Sequence, residues 1–216
     1  MKILITGASS GIGLSSAAYF VKKGHDVVGI DINPTELENE KYTHYIADVR
    51  KEEDYPDISG VEILVNCAGV QEKDDIEVNL KGLIKITERY GITPDIKSVV
   101  MIGSASAHTG AEFPEYAASK GGVLAYTKNV AKRIAKYGAT CNSLDFGGVL
   151  TPINLPVIED EKLFAEIMEL TPLKRWMSPM ECAEWIYFIS VTNKFCTGQN
   201  ILIDGGEAGN QKFIWP

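Results

Sequence analysis

The chain alternates short, β-rich apolar runs with longer stretches of helical periodicity, and this alternation constrains the fold more than any other feature. Strands that alternate with helices favour βαβ units and a parallel sheet with right-handed crossovers. No linker interrupts the pattern, so we expect one domain over residues 1–216. The strand-like runs are KILIT (2–6), DVVGID (26–31), HYIA (44–47), VEILVN (61–66), SVVMIG (98–103), ATCNSLD (139–145) and NILI (200–203), and helical patterns cover residues 11–23, 75–90, 115–137 and 179–190.

Composition excludes several classes of protein. The chain has 216 residues, of which 45% are hydrophobic and 23% charged, as is typical of a soluble globular protein. The net charge of −8 argues against nucleic acid or an anionic membrane surface as a partner. No run of about 18 apolar residues suggests a membrane span. Widely spaced cysteines favour reduced thiols in a cytoplasmic protein, without a metal site; these are Cys67, Cys141, Cys182 and Cys196.

A glycine-rich turn, GASSGIG (7–13), separates the first strand-like run from the first helical stretch. Gly7 would let the chain turn off the strand, and Gly11 and Gly13 would let a ligand approach the backbone closely. The helix N-terminus would offer N–H groups and a positive dipole end to a pyrophosphate. The turn therefore predicts a dinucleotide phosphate site, formed by Gly7, Ser9, Ser10, Gly11, Ile12 and Gly13.

Asp31 ends the second strand-like run, where the dinucleotide fingerprint places an acidic residue. Its carboxylate could accept hydrogen bonds from the adenosine ribose hydroxyls, and it would repel a 2′-phosphate. Ser9, Ser10 and Ile32 supply no Arg or Lys to bind such a phosphate. We therefore predict NAD rather than NADP as the cofactor; the alternative is a solvated aspartate at a strand end.

The segment EFPEYAASKGG (112–122) places Tyr116 four residues before Lys120. On a helix these side chains share one face, with about 5–6 Å between their Cβ atoms. A free tyrosine has a pKa of about 10, and a neighbouring ammonium or an oxidised nicotinamide favours its phenolate. The spacing permits an acid–base pair, although an ordinary surface helix has the same spacing.

The chain resembles the short-chain dehydrogenase/reductase family along nearly its whole length. The similarity implies an α/β, Rossmann-type, doubly wound sheet of about seven parallel strands, with helices on both faces and no separate substrate domain. It is carried by motifs in the family order: TGASSGIG (6–13), DV (48–49), NCAG (66–69), VNLKG (78–82), IGSASAHTG (102–110), YAASK (116–120), TPLKRWMSPMECAEWI (171–186) and TGQNILIDGG (197–206).

The resemblance implies a catalytic tetrad of Asn79, Ser104, Tyr116 and Lys120. In this scheme Tyr116 moves the proton, Ser104 stabilises the substrate oxygen, Lys120 also holds the nicotinamide ribose, and Asn79 binds a water that links Lys120 to solvent. The interval between Ser104 and Tyr116 is one residue shorter than is usual in the family, so we place a deletion within 111–115. Ser106 is the competing serine, and we favour Ser104 because it ends the predicted strand.

Further cofactor contacts follow from the resemblance. Asp48 and Val49 are expected to end the third strand and meet the adenine. Asn66, Ala68 and Gly69 are expected to line the ribose and nicotinamide, as are Tyr116, Lys120, Gly147, Val149 and Thr151. Phe146 replaces the proline of the family's Pro-Gly pair, and we expect Gly147 to permit the same turn. His108 is expected at a loop or rim rather than in catalysis.

The segment 150–176 is expected to cover the substrate. Its apolar content, with Phe113 and without an arginine cluster, favours a largely hydrophobic or neutral substrate, although the same side chains could simply pack the segment on the body. The stretches between Asp48 and Val61 and between Gly69 and Asn79 are short, so we expect one thinly covered flank of the sheet and an open rim.

The most consistent function is hydride transfer between NAD(H) and a secondary alcohol or ketone. Two alternatives are a dinucleotide-sensing protein and a non-redox enzyme, such as a dehydratase or epimerase, on the same fold. The resemblance also implies a homodimer or homotetramer. The apolar tail residues Phe213, Ile214 and Trp215 are expected to dock on the body or on a neighbouring subunit, or to form a disordered end.

Overall fold

The computed structural model describes residues 1–111 and 113–209, and these form a parallel sheet with helices on both faces. Every neighbouring pair of strands in the sheet is parallel, in the order β3-β2-β1-β4-β5-β6-β7. This confirms the predicted Rossmann-type sheet, whereas the tail residues Phe213, Ile214 and Trp215 lie outside the described residues. The strands are β1 (Lys2–Thr6), β2 (Asp26–Asp31), β3 (Tyr42–Ile46), β4 (Ile63–Asn66), β5 (Ser98–Ile102), β6 (Thr140–Phe146) and β7 (Asn200–Ile203).

The helices match the predicted helical stretches and add several short ones. The α-helices are α1 (Gly11–Lys22), α2 (Leu83–Ile86), α3 (Ser106–Thr109), α4 (Pro114–Ile134), α5 (Leu155–Ile158), α6 (Glu161–Leu170) and α7 (Pro179–Tyr187). Helix α2 lies between π-helical turns at Ile76–Gly82 and Thr87–Gly91, and a third π-helical turn, Phe188–Thr192, follows α7. Short 3-10 turns are Glu52–Asp54, Ala135–Tyr137 and Pro152–Asn154.

Two hydrophobic cores form because side chains alternate between the faces of each strand. On β1, Leu4 packs into the core under α2 and α4, whereas Ile3 and Ile5 pack into the core under α1 and α7. The central strands β4 and β5 are buried throughout. This burial explains why their sequences are apolar at nearly every position.

The flank at β3 is thinly covered, in agreement with the short stretch that follows it. No residue of β3 is fully buried, and Ile46 is 66% exposed. Between Asp48 and Val61 the structure has only the short turn Glu52–Asp54. The strand therefore lacks a covering helix on this side among the described residues.

The strand order reverses between β1 and β4, where consecutive crossovers lead to opposite sides of the sheet. Ligands of doubly wound folds bind at the carboxyl ends of the strands at such a point. A cavity of about 1170 Å³ opens there, lined by residues of the loops that follow β1, β2, β4, β5 and β6. None of the helices in the described part of the chain is long and apolar enough to cross a membrane.

Candidate active site

The glycine-rich turn forms the floor of one end of the cavity. Gly7 and Gly11 have φ values of +68° and +50°, which strongly favour glycine. At Gly13 a Cβ would overlap the carbonyl oxygen of Gly7, so the start of α1 packs directly on the turn. The first turn of α1 carries no acidic residue, and Ser10 at its N-cap makes no capping hydrogen bond with its side chain. The N-terminus of α1 therefore suits an anionic group.

Most of the turn lines the cavity, but Ser9 does not. The residues on the wall are Gly7, Ser10, Gly11, Ile12 and Gly13. The backbone N–H of Ser9 donates to Oδ2 of Asp31 at 3.0 Å, and its hydroxyl donates to the carbonyl of Asn33 at 2.8 Å. Ser9 thus connects the turn to the end of β2 instead of facing the cavity.

Asp31 lies on the cavity wall beside Ile32. Its Oδ1 accepts a hydrogen bond from the N–H of Asn33 at 2.9 Å, while Ser9 occupies Oδ2. Two backbone donors therefore fix the carboxylate at the edge where a ribose would lie, and they leave lone pairs for hydroxyl donors.

Asp48 and Val49 also line this end of the cavity, although they follow β3 rather than end it. The Arg50 guanidinium lies 2.7 Å from the carboxylate of Asp48 and 3.0 Å from that of Asp74. The hydrogen bond from Arg50 lowers the pKa of Asp48. Arg50 lines the cavity as well, so this arginine sits beside Asp48 on the wall with two acids as partners.

The loop after β4 brings Ala68 and Gly69 to the wall, but it does not bring Asn66 there. The buried amide of Asn66 donates to the Thr87 hydroxyl at 2.9 Å, in the π-helical turn beyond α2. The sequence-based placement of Asn66 on the wall differs from this geometry, because its position in β4 aims the side chain at the helices. The loop itself is held by Thr6, whose hydroxyl accepts from the N–H groups of Cys67 and Ala68 at 3.1 Å.

Helix α4 carries Tyr116 and Lys120 on its cavity-facing side. Pro114 starts this helix in its first turn, where a missing N–H costs no hydrogen bond. The Nζ of Lys120 lies 5.6 Å from the centre of the Tyr116 ring and donates to the carbonyl of Ile102 at 2.9 Å. The lysine is 6% exposed. Burial lowers the pKa of Lys120 to about 8, and the negative charges of Asp145 and Asp75 oppose this shift.

Ser104 lies two residues beyond β5, at the edge of the cavity. Its hydroxyl is buried, accepts a hydrogen bond from the N–H of Ser106 at 3.1 Å and contacts the Ser106 hydroxyl at 3.1 Å. Ser106 lines the cavity too, as the first residue of α3. The two candidate serines are therefore neighbours in one hydrogen-bonded unit.

Asn79 is buried in the π-helical turn Ile76–Gly82 and does not line the cavity. Its Oδ1 accepts from the N–H of Val70 at 2.8 Å, and its Nδ2 donates to the Val70 carbonyl at 2.9 Å. A Cβ on Gly69 would lie 3.3 Å from this Oδ1 and 3.8 Å from the Nζ of Lys120. Asn79 thus fixes the loop that runs beside Lys120.

The segment after β6 reaches the cavity through Gly147, Val149 and Thr151. The N–H of Gly147 donates to the Ile203 carbonyl at 3.0 Å. Its φ is not positive, so the chain here does not use the left-handed backbone that glycine favours. A Cβ there would lie 2.8 Å from Cα of Asp204, so glycine is required at this position for close packing between two loops.

The side of the cavity formed by Phe113 and the segment after β6 is apolar. It is lined by Phe113, Ile153, Val157, Leu163, Ile167 and Trp176. Phe164 of α6 packs edge-on against the Trp176 ring at 5.2 Å. No residue of α6 is fully buried, so this helix lies outside the core, whereas Trp176 at the end of the predicted covering segment is buried.

Several residues of the site region were not anticipated from the sequence. Asp145 is completely buried near the end of β6 and contacts His108 at 2.6 Å; His108 lies in the short helix α3 rather than in a loop, and it is exposed, as expected of a rim residue. Asp75 is buried and accepts from Asn79 at 3.3 Å. Arg50 bridges two acids. The sequence offered one signal for these residues, namely that Asp145 is an acidic residue in a strand that is buried throughout.

Comparison with known proteins agrees with this geometry. A family model described as enoyl-(acyl carrier protein) reductase matches residues 7–207. The 3-oxoacyl-[acyl-carrier-protein] reductase FabG of Thermotoga maritima is 31% identical, over 94% of this chain and 96% of that protein. The ligand-free aldohexose dehydrogenase of Thermoplasma acidophilum superposes with a TM-score of 0.86 at 26% identity, over 100% of this chain and 96% of that one. A 4-hydroxyisoleucine dehydrogenase complexed with NADH gives 0.87 at 27% identity, over 97% and 99%. The chain therefore belongs to the short-chain dehydrogenase/reductase family.

Proposed function

We propose that the protein is an NAD-dependent dehydrogenase/reductase that interconverts a secondary alcohol and a ketone. The observation that carries this proposal is the shared cavity wall. Tyr116, Lys120 and Ser104 line the same cavity as the glycine-rich turn and Asp31. One cavity therefore holds a candidate acid–base group and a groove large enough for a dinucleotide.

The residues present fit a dinucleotide. The turn from Gly7 to Gly13 leaves no room for side chains where the backbone must approach a pyrophosphate, and the start of α1 offers its N–H groups there. The further residues that would hold the cofactor are Asp31, Ile32, Asp48, Val49, Ala68, Gly69, Tyr116, Lys120, Gly147, Val149 and Thr151. The chemistry that a bound nicotinamide would supply is hydride transfer.

In the oxidation direction, Tyr116 would accept the hydroxyl proton as hydride leaves the carbinol carbon; in reduction it would return that proton to the ketone oxygen. Lys120 would stabilise the phenolate, because its ammonium lies beside the ring. The Ser104 hydroxyl would donate to the substrate oxygen and stabilise the charge that develops there. Asn79 would hold a water for proton exchange behind Lys120.

Preference for NAD over NADP rests on Asp31. A carboxylate held by two backbone N–H groups would repel a 2′-phosphate, and it suits ribose hydroxyls. Arg50 lines the same end but pairs with Asp48 and Asp74, so its charge is already balanced. NADP is the alternative cofactor, and binding titrations with both reduced cofactors separate the two.

A neutral or hydrophobic substrate fits the far end of the cavity. The side chains that line this end are apolar. Glu207, near the end of the described residues, also lines the cavity and is acidic. The covering segment adds five acids and three basic residues; the acids are Glu159, Asp160, Glu161, Glu166 and Glu169, and the basic residues are Lys162, Lys174 and Arg175. The net excess of acids in this segment, together with Glu207, disfavours sugar acids and acidic carrier proteins.

Absorbance of NADH at its characteristic wavelength tests the function directly. We expect turnover with neutral substrates such as D-glucose, cyclohexanol or ethyl acetoacetate, and much weaker turnover with D-gluconate or 5-keto-D-gluconate. Binding of NADH without turnover of any substrate would favour the dinucleotide-sensing alternative. Chemical change of a substrate without net change in NADH would favour the non-redox alternative.

Three wider properties complete the proposal. We propose one domain over residues 1–216, supported by the participation of strands from Lys2 to Ile203 in one sheet.

A homodimer or homotetramer is proposed through α4, where a Cβ on Gly121 would meet no atom within 4 Å and thus leaves space for a neighbour. Light scattering tests this assembly. A cytoplasmic location stays a prediction from the cysteine pattern.

A further inference from the structure

A buried carboxylate contacts a solvent-accessible imidazole beside the candidate site. Asp145, near the end of β6, is 0% exposed, and its Oδ2 lies 2.6 Å from Nε2 of His108. Its Oδ1 has no hydrogen-bond partner in the part of the chain that the structure describes. A completely buried carboxylate costs free energy unless it is well paired. We therefore expect Asp145 to have a role that offsets this cost.

The carboxylate lies against the backbone that leads into Ser104. A Cβ on Gly103 would overlap Oδ1 of Asp145, so Gly103 and Asp145 pack face to face. On either side of the serine, the N–H of Gly103 donates to the Leu144 carbonyl and the N–H of Ala105 donates to the Phe146 carbonyl, both at 2.9 Å. The residues flanking Asp145 thus hold the residues flanking Ser104.

His108 extends this connection to the serine hydroxyl. It belongs to α3, and its N–H donates to the Ala105 carbonyl at 2.9 Å. The same helix begins at Ser106, whose N–H donates to Oγ of Ser104 at 3.1 Å. The contact with Asp145 therefore fastens to β6 the short helix that orients the Ser104 hydroxyl.

Asp145 also lies close to Lys120, because the Lys120 Nζ donates to the carbonyl of Ile102 at 2.9 Å and the Asp145 carboxylate packs against the next residue, Gly103. The negative charge of Asp145 raises the pKa of Lys120, and the ammonium lowers that of Asp145 in return. Burial is the largest influence on Asp145 and raises its pKa, while His108 and nearby Ser143 oppose it. The other titratable groups that act on Lys120 are Cys67 and Asp75. Gly103, which follows β5 and packs against Asp145, carries no charge.

We propose that Asp145 and His108 form a positioning pair, which orients the Ser104 hydroxyl through α3 and provides a buried negative charge for the Lys120 ammonium. Neither residue touches the substrate in this scheme. The inference rests on the proposed function for its kinetic consequences, but its electrostatic consequence for Lys120 does not depend on turnover.

The electrostatic test is a titration of Lys120 by NMR in protein labelled with ¹³C at lysine Cε. The Lys120 signal is identified by its loss in Lys120→Met. In the wild type we expect it to titrate near pH 8. In Asp145→Asn we expect a midpoint lower by at least about half a pH unit, as loss of a nearby buried charge requires. An unchanged midpoint would overturn the electrostatic half of the proposal, whether or not the protein is an enzyme.

The positioning test uses two substitutions of His108 with NADH and the ketone that the wild type reduces fastest. His108→Gln keeps a donor for Asp145, and we expect kcat within about threefold of the wild type. His108→Leu removes the donor, and we expect kcat to fall about tenfold with the Kd for NADH unchanged. His25→Gln, just before the start of β2 at the end of the strands opposite the site, controls for loss of an imidazole elsewhere, and thermal melting establishes that each variant is folded.

The pH dependence of ketone reduction is a further test, because a purely structural role of Asp145 would leave it unchanged. In Asp145→Asn the Lys120 ammonium should lose its proton more readily, so the alkaline limb should shift to lower pH. Equal kcat in wild type, His108→Gln and His108→Leu would refute the positioning role. Failure of the wild type to reduce any ketone would instead refute the proposed function and, with it, the kinetic half of this inference.

Discussion

The ammonium of Lys120 lies 5.6 Å from the centre of the Tyr116 ring, and it is held there by a 2.9 Å hydrogen bond to the carbonyl of Ile102. The lysine is buried between α4 and the end of β5. A backbone carbonyl thus fixes a desolvated cation next to a phenol. We therefore expect the activity of the site to depend on whether Lys120 is protonated.

Ketone reduction should decline as the pH rises through about 8. Burial lowers the pKa of Lys120 to about 8, so the ammonium is present below that pH and lost above it. Reduction also needs a protonated Tyr116, which loses its proton in the same direction. The measurement is kcat/KM for NADH-dependent reduction between pH 6 and 10. A profile that stays flat to pH 10 would rule out the assigned role of Lys120.

Lys120→Met should separate activity from stability. The folded state holds Lys120 with a pKa below its usual value, so the protonated lysine destabilises the fold at every pH below about 8, and the cost fades toward pH 10.5. We expect the free energy of unfolding at pH 7 to rise by about 1 to 2 kcal/mol after the lost hydrogen bond is counted. We expect kcat to fall at least about 100-fold.

Chemical denaturation at pH 7 and at pH 10 measures the stability of this variant against the wild type. The gain should be largest at pH 7 and should shrink at pH 10. A variant that is less stable than the wild type at pH 7 would show that the charged lysine contributes to folding rather than opposing it.

Local sequence patterns predicted the parts of the site that depend on neighbouring residues in the chain. The turn from Gly7 to Gly13 and the i, i+4 pair in α4 follow from backbone geometry, so their placement could be anticipated. The direction of Asn66 could not, because it depends on which helix covers β4. The contact between Asp145 and His108 joins residues 37 positions apart, and only the packing of α3 on β6 creates it.

Asp31→Ser should change the cofactor preference. Removal of the carboxylate takes away an acceptor for ribose hydroxyls and a repulsive charge toward a 2′-phosphate, so the Kd for NADH should rise about tenfold and that for NADPH should fall. Fluorescence titration with both cofactors measures the ratio. Asp26→Asn, an exposed acid at the other end of β2, is the matched control and should leave both constants unchanged. Tighter binding of NADPH than NADH by the wild type would contradict the role of Asp31.

Ser104→Ala should lower kcat about 100-fold, because a donor to the developing oxyanion is lost. Ser106→Ala should lower kcat less, by about threefold to tenfold, through the loss of its contact with the Ser104 hydroxyl. The Kd for NADH should change in neither variant. Steady-state kinetics on one ketone decide between the serines, and the opposite ranking would assign the oxyanion role to Ser106.

Tyr116→Phe provides the most direct test that this cavity catalyses hydride transfer with Tyr116 as the acid–base group. The variant keeps the ring on α4 and removes the group that exchanges the proton. We predict that single-turnover reduction of the best ketone by NADH slows by about 10²- to 10⁴-fold while the Kd for NADH stays unchanged. A rate within threefold of the wild type would contradict the central claim.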